Sequence, residues 1–163
     1  MLTIITRSED LPFSSLMEVY EQSNRTHGAN KYPHRDANEQ LALAEQDLYE
    51  YLHTSLVNRT ATVALWSSEG RCMSALRLEQ YRDGLLLTSL ETRPNDRKKG
   101  YATELVRAVL ASFINQKIYS HVFISNHASI ALHEKCGFSR IAPFAEFLDG
   151  SVSNRACTYL YQG

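Results

Sequence analysis

Residues Leu85 to Thr92 read LLLTSLET, and this stretch limits the possible folds more than any other. Its apolar side chains fall on both faces of an extended chain, so it reads as a central strand covered on both sides. Asp83-Gly84 before it is a two-residue hairpin signal, and Pro94 ends it. The pattern then turns helical. Ala102, Leu105, Val106, Val109 and Phe113 share one face of a helix expected over 101–115.

The remaining pattern builds a mixed α/β domain around that strand. LTIIT, residues 2–6, is a short β-branched strand. Asp10 is placed to cap a helix through about Ser23, with Phe13, Leu16, Met17 and Tyr20 on its face. The polar stretch Asn24 to Arg35 reads as a loop, and Asp36 with Glu39 opens a second helix. Strands follow at Thr60–Trp66 and over CMSALRLEQ, on either side of a turn at Ser67–Gly70. YSHVFIS is a further strand, Asn126 starts a helix that Gly137 stops, and strands are expected near 140–148 and 155–161 around DGSVSN. The order β-α-α-β-β-β-α-β-α-β-β implies one domain over 1–163 with a largely antiparallel sheet flanked by helices.

Charge and cysteine usage exclude several functions. A net charge of −1 offers no global attraction to nucleic acid or anionic membranes, so any anion site must be local. The three cysteines, Cys72, Cys136 and Cys157, have no zinc-site spacing and fit reduced thiols in a cytoplasmic protein. No signal-like or membrane-spanning apolar run is expected.

The local candidate is Arg97-Lys98-Lys99-Gly100-Tyr101-Ala102, between the central strand and its following helix. A helix start leaves N–H groups unpaired and carries about half a positive charge. A glycine and a small residue let an anion approach that backbone. The segment is neither a Walker loop nor a Rossmann fingerprint. Taken alone, it fits a solvated helix entry equally well.

A second segment, NHASIALHEKCGF from Asn126 to Phe138, changes the reading. With Arg97, Gly100 and Ala102 in the pattern [Arg/Gln]-x-x-Gly-x-[Gly/Ala], the chain resembles the GCN5-related N-acetyltransferase superfamily. The resemblance in the second segment lies at Asn126, Ser129, Leu132, Glu134, Lys135, Gly137 and Phe138, and with the strand order it covers nearly the whole chain. It implies acetyl-CoA as co-substrate, its pyrophosphate held by Arg97, Lys98, Lys99, Gly100, Tyr101 and Ala102. It also implies splayed fourth and fifth strands that admit the pantetheine arm, with backbone N–H groups around Leu90 to Thr92 polarising the thioester carbonyl. Asn126 and Ser129 are implied in cofactor contact, and Asn126 is equally placed to cap its helix.

The implied reaction is direct attack of a primary amine, on a small molecule, amino acid or peptide, in a ternary complex. His133 stands where most members carry tyrosine. Some small-molecule acetyltransferases of the phosphinothricin type similarly carry LHE here. Imidazolium could serve the leaving thiolate, or the histidine could be structural. Glu91 is the first candidate base, unless it pairs with Arg93 or Arg77, and His121 is the second. Tyr20, Glu21, His27, Tyr32 and His34 lie where the family binds acceptors. A non-catalytic acyl-CoA-binding domain is the alternative, and homodimerisation through edge strands is an open expectation.

Overall fold

The computed structural model describes residues 1–163. Strand β1 (Leu2–Ile5) leads through a 3₁₀ turn at Ser8–Asp10 into helices α1 (Phe13–Val19), α2 (Glu21–Lys31) and α3 (Ala37–Val57). Strands β2 (Ala61–Ser68), β3 (Arg71–Tyr81) and β4 (Gly84–Thr92) then form a meander. Helix α4 (Tyr101–Ser112), β5 (Lys117–Phe123), α5 (His127–Lys135), β6 (Ser139–Ala142), a small hairpin of β7 (Ala145–Glu146) and β8 (Val152–Ser153), and β9 (Ala156–Gln162) complete the chain. The main sheet runs β1-β2-β3-β4-β5-β9-β6, and only the β4–β5 pair is parallel.

Strand alternation sorts the core into two layers. Ala64, Leu76, Leu78 and Leu87 pack under Leu105, Val106 and Val109 of α4. Val63, Leu65 and Ala75 face the other way, onto Leu16 and Val19 of α1 and Leu52 and Leu56 of α3. The central strand is covered less than its composition suggests: Leu87 packs under α4 and Leu86 against Tyr81 and Tyr119, and the rest of β4 is only partly buried.

Four local expectations are corrected. The Asn24–Arg35 segment begins helically, because α2 extends to Lys31. Only Asn24 and Gly28 of α2 are buried, so it has no apolar stripe to read. It is held to α3 by Asp47, which takes bonds from Lys31 Nζ (2.8 Å) and the Tyr32 hydroxyl (2.8 Å) and pairs with His27 Nε2 (3.0 Å). Asp10 caps nothing; it pairs with Arg7, and Pro12 precedes α1. The expected 140–148 strand is two short strands separated at Pro143, which lacks a backbone donor, and DGSVSN contributes β8. Helix α4 stops at Ser112, with Phe113 beyond its last turn.

Two details meet expectation in altered form. Asp36 does cap α3, accepting N–H bonds from Asn38 (2.9 Å) and Glu39 (3.0 Å). In the β3–β4 hairpin, however, Gly84 already pairs with Tyr81, so the turn residues are Arg82 and Asp83. Gly84 is needed for a different reason: a Cβ there would stand 2.2 Å from the Lys117 carbonyl oxygen of β5.

Gly28 plays the same part between α2 and α3, where a Cβ would lie 2.3 Å from the Gln40 carbonyl oxygen. An alanine in a helix interior ordinarily stabilises by about 1 kcal/mol relative to glycine. Gly28→Ala should reverse that sign and destabilise by about 1–3 kcal/mol, because backbone must move. Urea unfolding measures it, and an unchanged or higher midpoint would show that the helices separate freely.

Candidate active site

Strands β4 and β5 pair only from Leu85–Leu87 to Ile118–Ser120. Beyond that point β5 continues against β9 alone, and the edge of β4 from Thr88 onward has no strand beside it. The cause lies in β4. Ala75 pairs with Glu91 and Arg77 with Thr88, so Ser89 and Leu90 together face the single residue Leu76. This is a β-bulge, and Ser89 adopts φ 51°, a left-handed value that non-glycine residues seldom hold. The buried Tyr20 hydroxyl fixes it by donating to the Ser89 carbonyl at 2.8 Å. Burial pushes the Tyr20 ionisation far up, so its proton stays in place.

Two cavities open on this gap. The larger, about 1040 Å³, is bounded by α2, the end of β4, the 97–103 segment and α5. The smaller, about 550 Å³, lies between β4, β5 and the β7–β8 hairpin. Leu90, Asn126 and Ser129 line both.

The larger cavity carries the anion-site geometry. Gly100 has φ 89° and caps α4 without a side-chain bond to the helix's first N–H groups. A Cβ built on Gly100 would meet nothing within 4 Å, so the backbone there faces open space. Lys98 is also left-handed, at φ 64°, and such alternation turns successive N–H groups to one side. Lys98, Tyr101, Ala102 and Thr92 line this cavity, as does Arg97, which is tied to the Gln22 side chain of α2. Lys99 is not among the lining residues; its ammonium is bound at 2.7 Å to Asp96, which is.

Asn126 caps its helix and stands at the junction of the cavities: its side-chain oxygen accepts from the Ser129 N–H at 3.1 Å at the start of α5, and it borders both cavities. Glu91 lies on the face of Ala75, its pairing partner, and lines the larger cavity. Burial raises its pKa, and the Ser23 hydroxyl and the Arg97 charge offset part of that rise. Neither Arg77 nor Arg93 is its ion-pair partner; they bind Glu79 and Glu18 with Asp96 respectively.

His133 is 2% exposed, and both its ring nitrogens are engaged. Nδ1 lies 2.8 Å from the Ser129 carbonyl oxygen, which can only accept, so Nδ1 carries a proton. Nε2 lies 2.8 Å from the Ser120 hydroxyl. Burial lowers the imidazole pKa, so the ring is neutral at pH 7 and Nε2 accepts from Ser120. The Ser129 hydroxyl, 3.3 Å from Nδ1, keeps its own proton for the cavities.

The chain as a whole is similar to known proteins. The model of the acetyltransferase (GNAT) family matches residues 16–138. This chain belongs to that family. No curated sequence relative matches it. Among solved structures, a spermidine N-acetyltransferase from Vibrio cholerae, in complex with CoA and spermine, aligns at TM-score 0.66 with 17% identity, covering 99% of this chain and 95% of that one. A PaiA N-acetyltransferase from Thermoplasma acidophilum in complex with coenzyme A gives 0.64 with 14% identity, over 100% and 99%. A putative acetyltransferase from Acinetobacter baylyi gives 0.69 with 14% identity, over 100% and 93%. The GNAT fold is therefore common to all four chains. No helix of this one is long and apolar enough to cross a membrane.

Sequence reasoning missed Tyr20 as the bulge clamp, Ser120 as the His133 partner, and Gln22 as the Arg97 anchor. None carries a motif, because each acts across elements distant in sequence.

The Glu91 environment makes a signed prediction. Its raised pKa means the ionised form is disfavoured in the folded state. The penalty is absent below the ordinary value of 4.5 and grows as pH rises through the folded value. Glu91→Gln should therefore raise the thermal midpoint at pH 7 and leave it nearly unchanged near pH 4. A lower midpoint at pH 7 would contradict this.

Proposed function

We propose that the protein transfers an acetyl group from acetyl-CoA to a primary amine, on a small molecule, amino acid or peptide. The observation that carries this reading is the gap beyond Leu87 and Ser120, where two cavities meet at Leu90, Asn126 and Ser129. Such a junction suits a donor entering from one side and an acceptor from the other.

The residues of the larger cavity fit CoA. The open, left-handed Gly100 and the uncapped start of α4 suit a pyrophosphate, with Arg97 and Lys98 adding charge. The unpaired edge of β4 suits an extended amide-bearing arm, which pairs with backbone as an added strand does. When bound, acetyl-CoA supplies an activated acyl thioester. The bulge at Ser89 and Leu90 interrupts regular pairing beside the gap, and N–H groups from Leu90 to Thr92 are the candidates to polarise a carbonyl there.

For the leaving thiolate, the neutral, doubly bonded His133 serves as a positioning residue. Its Nδ1–H supports the Ser129 carbonyl and orients the Ser129 hydroxyl, which can donate to sulfur. A thiol pKa near 8.5 makes such a hydrogen bond sufficient at neutral pH.

Two measurements test this reading. Gly100→Leu should weaken CoA binding at least about tenfold in calorimetry, a loss of roughly 1.4 kcal/mol. Unchanged affinity would remove the pyrophosphate site. Ser129→Ala should lower kcat about three- to tenfold, with the KM for acetyl-CoA held within twofold. Tight CoA binding with no transfer to any amine would identify a binding domain instead of an enzyme.

A further inference from the structure

The two cavities differ in charge. Arg97, Lys98 and Lys135 line the larger one, against Glu91 and Asp96. The smaller has no lysine or arginine in its lining, and its charged groups are Glu79 and Asp149. Apolar walls from Leu86, Phe123, Phe147 and Leu148 make up much of the rest. Glu79 is already held by Arg77 and Tyr51, so Asp149 is the carboxylate without a cationic partner; a cation is favoured beside it, and no lysine or arginine in the lining meets a carboxylate.

One group in this smaller cavity has no partner. His121 Nε2 is buried without a hydrogen bond, and such a polar atom is costly unless something completes it. The ring is gripped edge-on by Tyr81 and Phe147, with centroids 5.4 Å away in each case. His121 follows Ser120, the last β5 residue paired with β4, so it stands where the strands begin to part.

We propose that the smaller cavity is the acceptor subsite, that it takes a cationic amine with an apolar body and no carboxylate, and that His121 Nε2 removes the amine's proton. This rests on the acetyl-transfer reading above. The ammonium gives one proton to Nε2 of the ring whose own proton sits on Nδ1. The freed nitrogen lone pair forms the C–N bond to the thioester carbonyl carbon while the C–S bond breaks. The second nitrogen proton passes to the thiolate, and the imidazolium returns the first to water. Glu91 is less suited, since it sits in the cationic cavity beside Ser23 and Arg97.

The surroundings of His121 keep the ring ready to accept. Burial first, then the Arg82 charge, lowers its pKa, so the free base prevails at neutral pH. From β3 and its turn, Tyr81, Glu79 and Arg82 face this region, and from the hairpin, Glu146 and Asp149; β9 presents uncharged Thr158 opposite His121. Arg82 is itself paired with Glu146 at 3.0 Å, and Glu79 with Tyr51 at 2.7 Å and with Arg77. The imidazole is thus the one titratable group in the smaller cavity left without a bond.

The test compares 2-phenylethylamine with phenylalanine, which differ by one carboxylate, on the full chain with acetyl-CoA. The expected kcat/KM ratio favours the amine at least tenfold; equal use, or preference for phenylalanine, overturns the acceptor assignment. In His121→Gln, kcat for 2-phenylethylamine should fall at least tenfold at pH 7. It should then climb with pH toward 9.5 as free amine accumulates, while wild-type kcat levels off once the imidazole is neutral. A uniform loss at every pH, or no loss, overturns the role of His121. CoA calorimetry on the same preparations separates the readings. If CoA binds and the amine results fail, only the acceptor proposal falls; if CoA does not bind, the acetyl-transfer reading falls and takes this one with it.

Discussion

The contact between the Tyr20 hydroxyl and the Ser89 carbonyl governs the rest of the site. A left-handed serine in mid-strand costs on the order of 1–3 kcal/mol and persists only where its surroundings over-determine it. Here the over-determination comes from a residue at the joint between two helices. Tyr20 closes α1 and precedes α2, so the residue that breaks the helix also pins the bulge. One bond therefore sets the direction of β4 past Thr88, the opening beside β5, and the placement of α2 over the end of β4. Gln22, two residues on, ties Arg97 into the same assembly.

This geometry achieves electrostatic sorting without net charge. A chain of formal charge −1 has no long-range attraction for a polyanion, yet α4 begins with uncapped N–H groups beside Arg97 and Lys98. The opposite cavity is lined by no lysine or arginine; beside its apolar walls stand Glu79, Asp149 and the imidazole of His121. The two cavities meet only at Leu90, Asn126 and Ser129, so on the acetyl-transfer reading an anionic donor and a cationic acceptor would enter from different sides. Asp96, which lines the larger cavity, holds Lys99 in an ion pair while Arg97 and Lys98 line that cavity, so sequence-adjacent basic residues are not equivalent.

What could be read from the sequence was what is local. The apolar run at Leu85–Thr92, the Asp36 cap and the Arg97–Ala102 and Asn126–Phe138 patterns each act within one turn or one strand-to-helix junction, and they lie on β4 and at the starts of α3, α4 and α5. Failures came where tertiary contacts replaced patterning. Helix α2 has no apolar stripe because it packs through a glycine backbone and one shared carboxylate, so its sequence resembles a loop. Strand parity could not fix the face of Glu91, since the bulge that shifts the alternation depends on a tyrosine 69 residues away. The burial of His133 was equally hidden, because Ser120 comes to it from another strand.

On the acetyl-transfer reading, that burial also explains why a histidine can stand where tyrosine is usual. The two protonic demands of the reaction are unequal. A thiolate whose thiol has a pKa near 8.5 leaves readily at neutral pH with one hydrogen bond, which the Ser129 hydroxyl can give. An alkylammonium with a pKa near 10.4 is free base in only about one molecule in a few thousand at pH 7, a deficit of roughly 4–5 kcal/mol. Proton removal from the acceptor is therefore the harder requirement. A chain can bury the residue beside the thiolate as scaffold, provided an unpaired base stands on the acceptor side of the gap. On the acceptor-subsite proposal that base is His121, whose Nε2 has no hydrogen-bond partner.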